Sequence, residues 1–129
     1  MRLGGDGYTV LRVPLFRRKN APVVADDHAV LTHLPLSDDK FGTADEREAV
    51  RQLEEQIEAA VAKLGGEHDG NEFGGGEAML YTYGPDADGL FDAIRECLHG
   101  FEVRPGAYAI KRYGRADDPD ARAERVALS

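Results

Sequence analysis

A long amphipathic helix with clear ends is the sequence feature that most constrains the fold. Apolar residues recur between positions 50 and 64 at spacings of 3, 4, 3, 1 and 3, which places them on one helical face. These residues are Val50, Leu53, Ile57, Ala60, Val61 and Leu64. Thr43 and Glu46 are spaced as a capping box at the start, and Gly65 suits the left-handed position that ends a helix. A helix of about 21 residues spans roughly 30 Å, enough to cross a small sheet.

The segments on either side of this helix predict strands. Four runs are rich in β-branched and aromatic residues, namely 8–16, 27–36, 77–83 and 107–113. A fifth run, 67–73, has weaker strand character. The turn Gly74–Gly76 joins two of them as a hairpin. Asp86 is a suitable N-cap for a second helix, whose apolar face ends before Gly100. From residue 28 onward the order is therefore β-α-β-β-α-β.

This order predicts an α+β, ferredoxin-like split βαβ sandwich, in which two helices lie on one face of an antiparallel sheet. Residues 8–16 then form an extra N-terminal strand. At 129 residues the chain is expected to be a single domain, 1–129. We expect 1–7 and 115–129 to be flexible, with 119–129 either forming a short terminal helix or extending into solvent.

The composition predicts a cytoplasmic protein without a membrane or nucleic-acid partner. The formal net charge is −8, whereas nucleic-acid binding depends largely on cationic side chains. No apolar run approaches the roughly 18 residues of a membrane-spanning helix, and no signal-peptide core follows the N-terminus. The single cysteine, Cys97, excludes an intramolecular disulfide and is expected to be a small buried hydrophobe.

Aromatic residues on one face of the predicted sheet form the first candidate site. Met79, Tyr81 and Tyr83 alternate along one strand and share a face, and Tyr108 of the last strand can join them. Tyrosines on an open sheet face are typical of dimer interfaces and also of RNA-recognition modules. The acidity of the chain favours a dimer or protein-partner surface, or coverage of this face by other segments of the chain.

Histidine and carboxylate residues near the hairpin form a second candidate site. Alternation along the strand places His68 and Glu72 on one face with Asp69 opposite, and the hairpin can bring Glu77 near Glu72. Such groups can bind a divalent ion or supply a general base. The competing interpretation is that Asp69-Gly70-Asn71 forms a turn or a bulge and that the acids are solvated.

The central half of the chain resembles a known bacterial family. Four segments carry the resemblance, and together they cover roughly residues 45–100. They are the first helix, the run Leu64-Gly65-Gly66-Glu67-His68-Asp69-Gly70, the strand that ends in Tyr81-Thr82-Tyr83-Gly84, and the second helix. This region resembles the ferredoxin-like proteins grouped with the regulator of ribonuclease E activity, type B, and related domains, which carry an Asp-Gly turn after the first helix. The resemblance implies a cytoplasmic protein that binds another protein and has no catalytic residues to transfer. The N-terminal pair of strands departs from that pattern.

Together these observations predict a non-catalytic protein-interaction or regulatory module that needs no cofactor. Its expected partner is a second copy of the chain or another protein. The alternative is a small metal-dependent or acid–base enzyme that uses His68, Asp69 and Glu72.

Overall fold

A five-stranded antiparallel sheet and two helices make up the part of the chain that the computed structural model describes, residues 28–129. The elements in chain order are β1 His28–Pro35, α1 Ala44–Ala62, β2 Glu67–Gly74, β3 Glu77–Gly84, α2 Ala87–Cys97, a single 3-10 turn Leu98–Gly100, β4 Tyr108–Arg112 and β5 Ala123–Ala127. The predicted α+β class and the β-α-β-β-α-β order from residue 28 are confirmed. The predicted strand over 8–16 lies outside the described residues.

The strands lie in the order β2-β3-β1-β4-β5, so β1 is at the centre of the sheet. Leu31 of β1 faces Tyr81 of β3 on one side and Ile110 of β4 on the other. Every pair is antiparallel, and the first four strands and both helices are compatible with a ferredoxin-like fold. Strand β5 extends the sheet beyond β4.

The two helices cover one face of the sheet, here called the helix face. Val50, Leu53, Ile57 and Val61 of α1 are buried there, which confirms the face predicted from their spacing. They pack with buried residues of the sheet and of α2: Val30, Leu34, Ala78, Leu80, Leu90, Phe91 and Ile94. The main apolar core therefore lies between the helices and the sheet.

The start of α1 is held by the predicted capping box. Thr43 Oγ1 accepts a hydrogen bond from the backbone N–H of Glu46, and Glu46 Oε1 accepts one from the N–H of Thr43, at 3.1 and 2.9 Å. Glu46 also accepts the backbone N–H of Ser37 and pairs with Arg104 at 3.2 Å. This single carboxylate thereby ties α1 to the end of β1 and to the loop before β4.

Stability is expected to fall in acid partly through Glu46. The hydrogen bond from the Thr43 N–H holds the pKa of Glu46 below its ordinary value in the folded protein. As the pH falls, the unfolded chain therefore takes up this proton at a higher pH than the folded protein does. The stabilisation that ionised Glu46 provides is fully present above its ordinary pKa and is lost as the pH falls through the folded-state pKa. We expect Glu46→Gln to flatten the pH dependence of the urea midpoint between about pH 6 and pH 3. Glu58→Gln, at an exposed position of the same helix, is the matched control and should leave that dependence unchanged.

The end of the chain differs from the sequence-based expectation. Residues 119–129 were expected to form a helix or to extend into solvent, and this is wrong, because Ala123–Ala127 pairs with β4 as strand β5. Backbone hydrogen bonds flank the pairing at both ends, from Tyr113 N to Arg122 O and from Leu128 N to Ala107 O, at 2.8 and 2.9 Å. The chain end therefore belongs to the sheet.

Candidate functional site

The aromatic residues singled out in the sequence lie together on the sheet face opposite the helices. Met79, Tyr81 and Tyr83 alternate along β3, and Tyr108 lies on the same face of β4, as the register with β1 shows. We call this surface the tyrosine face; it consists of Ala29, Leu31, His33, Met79, Tyr81, Tyr83, Tyr108, Ile110 and Arg112. Tyr81 and Tyr83 are only 2 and 3% exposed, while Met79 and Tyr108 are half-buried. Their predicted role as a partner or dimer surface stays a prediction.

A hydrogen bond, a ring stack and a cation–π contact involve the tyrosines of this face. Tyr81 donates a hydrogen bond to Glu72 Oε1 at 2.6 Å, and burial together with this carboxylate raises the pKa of Tyr81. Tyr108 stacks on His33 with ring centroids 4.3 Å apart, and the Arg125 guanidinium lies 3.7 Å from the Tyr108 ring centre. A guanidinium over a phenol ring adds a favourable cation–π interaction. These contacts order the two ends of the face.

The histidine and carboxylate residues of the second candidate site do not converge. A β-bulge between His68 and Gly70 shifts the register of β2, so that His68 lies opposite Thr82 on the helix face while Glu72 lies opposite Met79 on the tyrosine face. The prediction that His68 and Glu72 share a face is therefore wrong. The competing prediction, a turn or bulge at Asp69-Gly70-Asn71 with solvated acids, is confirmed for the bulge and for exposed Glu72 but is wrong for Asp69, which is 6% exposed. Gly70 has a φ of +126°, which a side chain would disfavour.

The hairpin places Glu72 and Glu77 on the same face, with Glu72 opposite Met79, two residues from Glu77, but the four members of the predicted cluster do not form one group. His68 bonds to Glu54 of α1, Glu72 accepts from Tyr81, and Glu77 pairs with His33 at 3.1 Å. Asp69 is buried at the bulge. Within residues 28–129, no group of three or more His, Cys, Asp or Glu side chains is arranged to hold a metal ion.

His68 instead joins α1 to the sheet. Its Nε2 lies 2.6 Å from Glu54 Oε1 and its Nδ1 lies 3.2 Å from Thr82 Oγ1, so both ring nitrogens are occupied. Asn71 Nδ2 donates to the second oxygen of Glu54 at 2.6 Å. The His68 and Glu54 side chains are 5 and 12% exposed. This geometry is that of a buried, internally satisfied polar contact between layers.

A surface groove of about 320 Å³ is the feature that the sequence did not indicate. It lies between the first half of α1, the end of β1 and the connection from α2 to β4. Apolar side chains form about half of its inner surface, namely buried Leu34, Val50 and Leu53 and half-buried Leu36, Cys97 and Phe101, and Gln52 and Gln56 of α1 add polar lining. Each of these apolar side chains packs against the core. The groove itself arises from the way in which α1, the end of β1 and the connection from α2 to β4 pack together. No periodicity in the sequence predicts such a gap.

Acidic residues dominate the edge of this groove. Asp45 and Glu102 line it, and among the described residues neither forms an ion pair. Arg104 also lines it, but its guanidinium is paired with Glu46. The edge therefore carries two carboxylates that have no cationic side-chain partner among the described residues, although Asp45 also lies in the first turn of α1, where the helix dipole favours negative charge.

Cys97 lies in this groove as a free thiol. Burial raises the pKa of Cys97, and the neighbouring Glu96 carboxylate adds to the effect. A raised pKa keeps the sulfur protonated at neutral pH, and the thiol is a weak nucleophile compared with the thiolate. Cys97 thus packs against the apolar core as predicted, but the prediction that it is buried is wrong, because the residue is half-buried and lines the groove.

Comparison with known proteins finds no matching protein-family model, no matching curated protein and no matching solved structure. None of the helices in the described part of the chain is both long enough and apolar enough to cross a membrane.

Proposed function

We propose that this chain is a non-catalytic protein-interaction module of the cytoplasm, and that it binds a cationic segment of another protein in the groove between α1 and the α2–β4 connection. The observation that carries the proposal is the combination of an apolar groove with an acidic edge. The resemblance to the regulator of ribonuclease E activity, type B, agrees with such a role. We also assign the chain to the ferredoxin-like class, on the strand order β2-β3-β1-β4 with both helices on one face. Because that class hosts many unrelated functions, the groove and not the fold supports the proposed role.

The side chains most suited to catalysis have structural contacts, which supports a binding role. The four histidines are each engaged: His28 Nδ1 accepts the N–H of Ala87 at the start of α2, and His33 and His68 pair with carboxylates. His99 lies 3.5 Å from Glu96 at an exposed position. Among the described residues that line the groove with Cys97 there is no histidine. The enzyme alternative based on His68, Asp69 and Glu72 gains no support from their positions.

The chemistry of the groove defines the segment that it would bind. The half-buried side chains of Leu36 and Phe101 can contact one inserted apolar side chain. Asp45 and Glu102 at the edge attract Lys or Arg residues on either side of that side chain. The partner segment therefore has one apolar anchor between cationic residues, and a net charge of −8 on the module favours its approach.

Replacing Ala49 with arginine should weaken this interaction strongly. Ala49 is an exposed residue of α1 that lines the groove, so a guanidinium there fills the apolar space and repels a cationic segment. Tagged wild-type and variant chains would be used to capture proteins from the native host, followed by mass spectrometry. A specific partner should then be purified and titrated by calorimetry. We expect at least a tenfold loss of affinity in the variant, about 1.4 kcal/mol.

Ala59→Arg is the matched control, because Ala59 is exposed on the same helix but does not line the groove. It adds the same charge and should retain binding. Glu102→Lys should weaken binding and reduce its salt dependence, since it removes charge from the edge. Equal capture and equal affinity for Ala49→Arg and Ala59→Arg would reject the groove as the binding site. A partner that proves to be a second copy, seen as a dimer by light scattering, would replace this proposal with self-association.

A further inference from the structure

We propose that the outer edge of β2 binds an extended, cationic segment of a partner protein as an additional antiparallel strand of the sheet. Strand β2 stands at one end of the described sheet, whose order is β2-β3-β1-β4-β5. A strand in that position has one row of backbone N–H and C=O groups that its neighbour does not use, and another strand can bind to that row.

The hairpin between β2 and β3 determines which backbone groups of β2 point outward. Gly74 and Glu77 lie opposite each other across Gly75-Gly76, whose φ angles of +60° and +84° are those of a type I′ turn. Residues that flank such a two-residue turn exchange both of their backbone hydrogen bonds, and bonded and non-bonded pairs then alternate along the strands. The N–H and C=O groups of Asn71 and Phe73 therefore point away from β3.

These four outward groups have no partner within the described part of the chain. The ladder on the other side of β3 agrees with their assignment, because the Leu36 N–H donates to the Gly76 oxygen at 2.8 Å and so leaves the odd-numbered residues of β3 for β2. Among residues 28–129, no other backbone hydrogen bond involves Asn71 or Phe73. Asn71 is exposed and Phe73 is half-buried. This edge can therefore accept one more strand.

Carboxylates lie beside the part of the edge that adjoins α1. A cleft of about 350 Å³ separates the outer side of α1 from the first half of β2. Its described lining includes five carboxylates and one guanidinium, from Arg51, Glu54, Glu55, Glu58, Glu67 and Asp69. Arg51 is paired with Glu48 and Glu55. The lining shares no described residue with the groove beside Cys97, so this is a separate surface.

The geometry of an added strand places cations at alternate residues of the partner. Asn71 lies opposite Leu80 on the helix face, and its Nδ2 donates to Glu54 of α1 at 2.6 Å. Directly opposed residues of antiparallel strands share a face, so the partner residue opposite Asn71 also lies beside α1. A Lys or Arg there, and another two residues along, would approach the carboxylates of the cleft. A second copy of β2 would place carboxylates beside carboxylates, which disfavours self-association at this edge.

N-methylated peptides test this proposal with the full chain. The probe is an acetylated peptide in which three lysines alternate with valines, titrated into the protein by calorimetry. In the proposed complex the lysines face α1, so their own backbone N–H groups are the ones that bond to β2. N-methylation of the lysine amides should therefore lower the affinity about tenfold or more, whereas N-methylation of the valine amides should not. Equal affinities of the two methylated peptides, or no binding of the parent peptide at about 1 mM, would overturn the proposal.

Hydrogen exchange measured by NMR reports the added strand directly. Saturating peptide should slow the exchange of the Asn71 and Phe73 amides about tenfold or more, because both gain a hydrogen bond. Unchanged exchange at saturation would contradict strand addition. Protection of both amides before peptide is added would contradict it as well, since the edge would then already be occupied.

A pair of charge reversals tests the role of the cleft. Glu58 is exposed on α1 and forms no ion pair among the described residues, so Glu58→Lys removes attraction for the lysines of the peptide. Glu96→Lys makes the same change in net charge at an exposed position of α2 outside the cleft. Glu58→Lys should weaken peptide binding about threefold or more, and Glu96→Lys should leave it unchanged. Equal effects of the two variants would reject the cleft as the site of the cations.

Discussion

Replacing His68 with leucine is expected to lower the free energy of unfolding by roughly 2 kcal/mol, because the largely buried Glu54 carboxylate loses its hydrogen bond to the imidazole and keeps the one from Asn71. Removing one member of a buried pair usually destabilises a protein more than the intact pair stabilises it. The measurement is urea unfolding of each variant at pH 7. The exposed pair of His99 and Glu96 provides the matched control, and His99→Leu should change stability by less than about 1 kcal/mol.

A double-mutant cycle separates the pair from its surroundings. Glu54→Leu alone should be destabilising, because both ring nitrogens of His68 are engaged and Nε2 would lose its partner. The double variant, with both residues changed to leucine, should cost less than the sum of the two single changes, by at least about 1 kcal/mol. Two results would show that the contact does not hold α1 on the sheet. One is that the two single changes lower the free energy of unfolding additively, and the other is that His68→Leu lowers it no more than His99→Leu does.

Local patterns were sufficient to predict most of the described elements. The first helix is fixed by the spacing of Val50, Leu53, Ile57 and Val61 and by the capping box at Thr43. Hydrophobic period and capping are properties of neighbouring residues, so they can be read without knowing the tertiary structure. The same holds for β3, whose apolar and aromatic residues alternate.

The errors arose where distant pairing determines the local structure. Ala123–Ala127 has the sequence Ala-Glu-Arg-Val-Ala, in which most residues favour helix. Pairing with β4 overrides that preference, because it satisfies backbone groups along an edge that would otherwise lack partners. At the other edge, the bulge at Asp69 adds one residue to β2 and reverses the face of every residue after it. One inserted residue was enough to separate His68 from Glu72.

The tyrosine face and the groove differ in how far the sequence could define them. Alternation placed Met79, Tyr81 and Tyr83 on one face correctly, since side-chain direction in a regular strand depends only on position. Whether that face is covered depends on a second layer, which alternation does not report. The groove beside Cys97 and Phe101 is harder to predict still, because it is a gap left by three elements that meet at their ends.

Replacing Leu31 with alanine should be as destabilising as a substitution in the main core. Leu31 is 0% exposed on the tyrosine face, and Leu34 is 2% exposed on the helix face of the same strand. Both changes remove the same atoms and leave a cavity, so each should cost about 2–5 kcal/mol in urea unfolding. Leu64→Ala, at a position 45% exposed, should cost less than about 0.5 kcal/mol.

The loss in unfolding free energy for Leu31→Ala, compared with the losses for Leu34→Ala and Leu64→Ala, shows whether the tyrosine face is covered in solution. If Leu31→Ala costs close to the Leu64→Ala value, the tyrosine face is open to water in solution and only one face of the sheet is a core. If its cost matches that of Leu34→Ala but grows with protein concentration, a second copy covers the face, because association links stability to concentration. A cost that matches and is independent of concentration is the result we expect. It would show that the single chain buries both faces of its sheet, and that binding partners must use its helices, its edges or the groove.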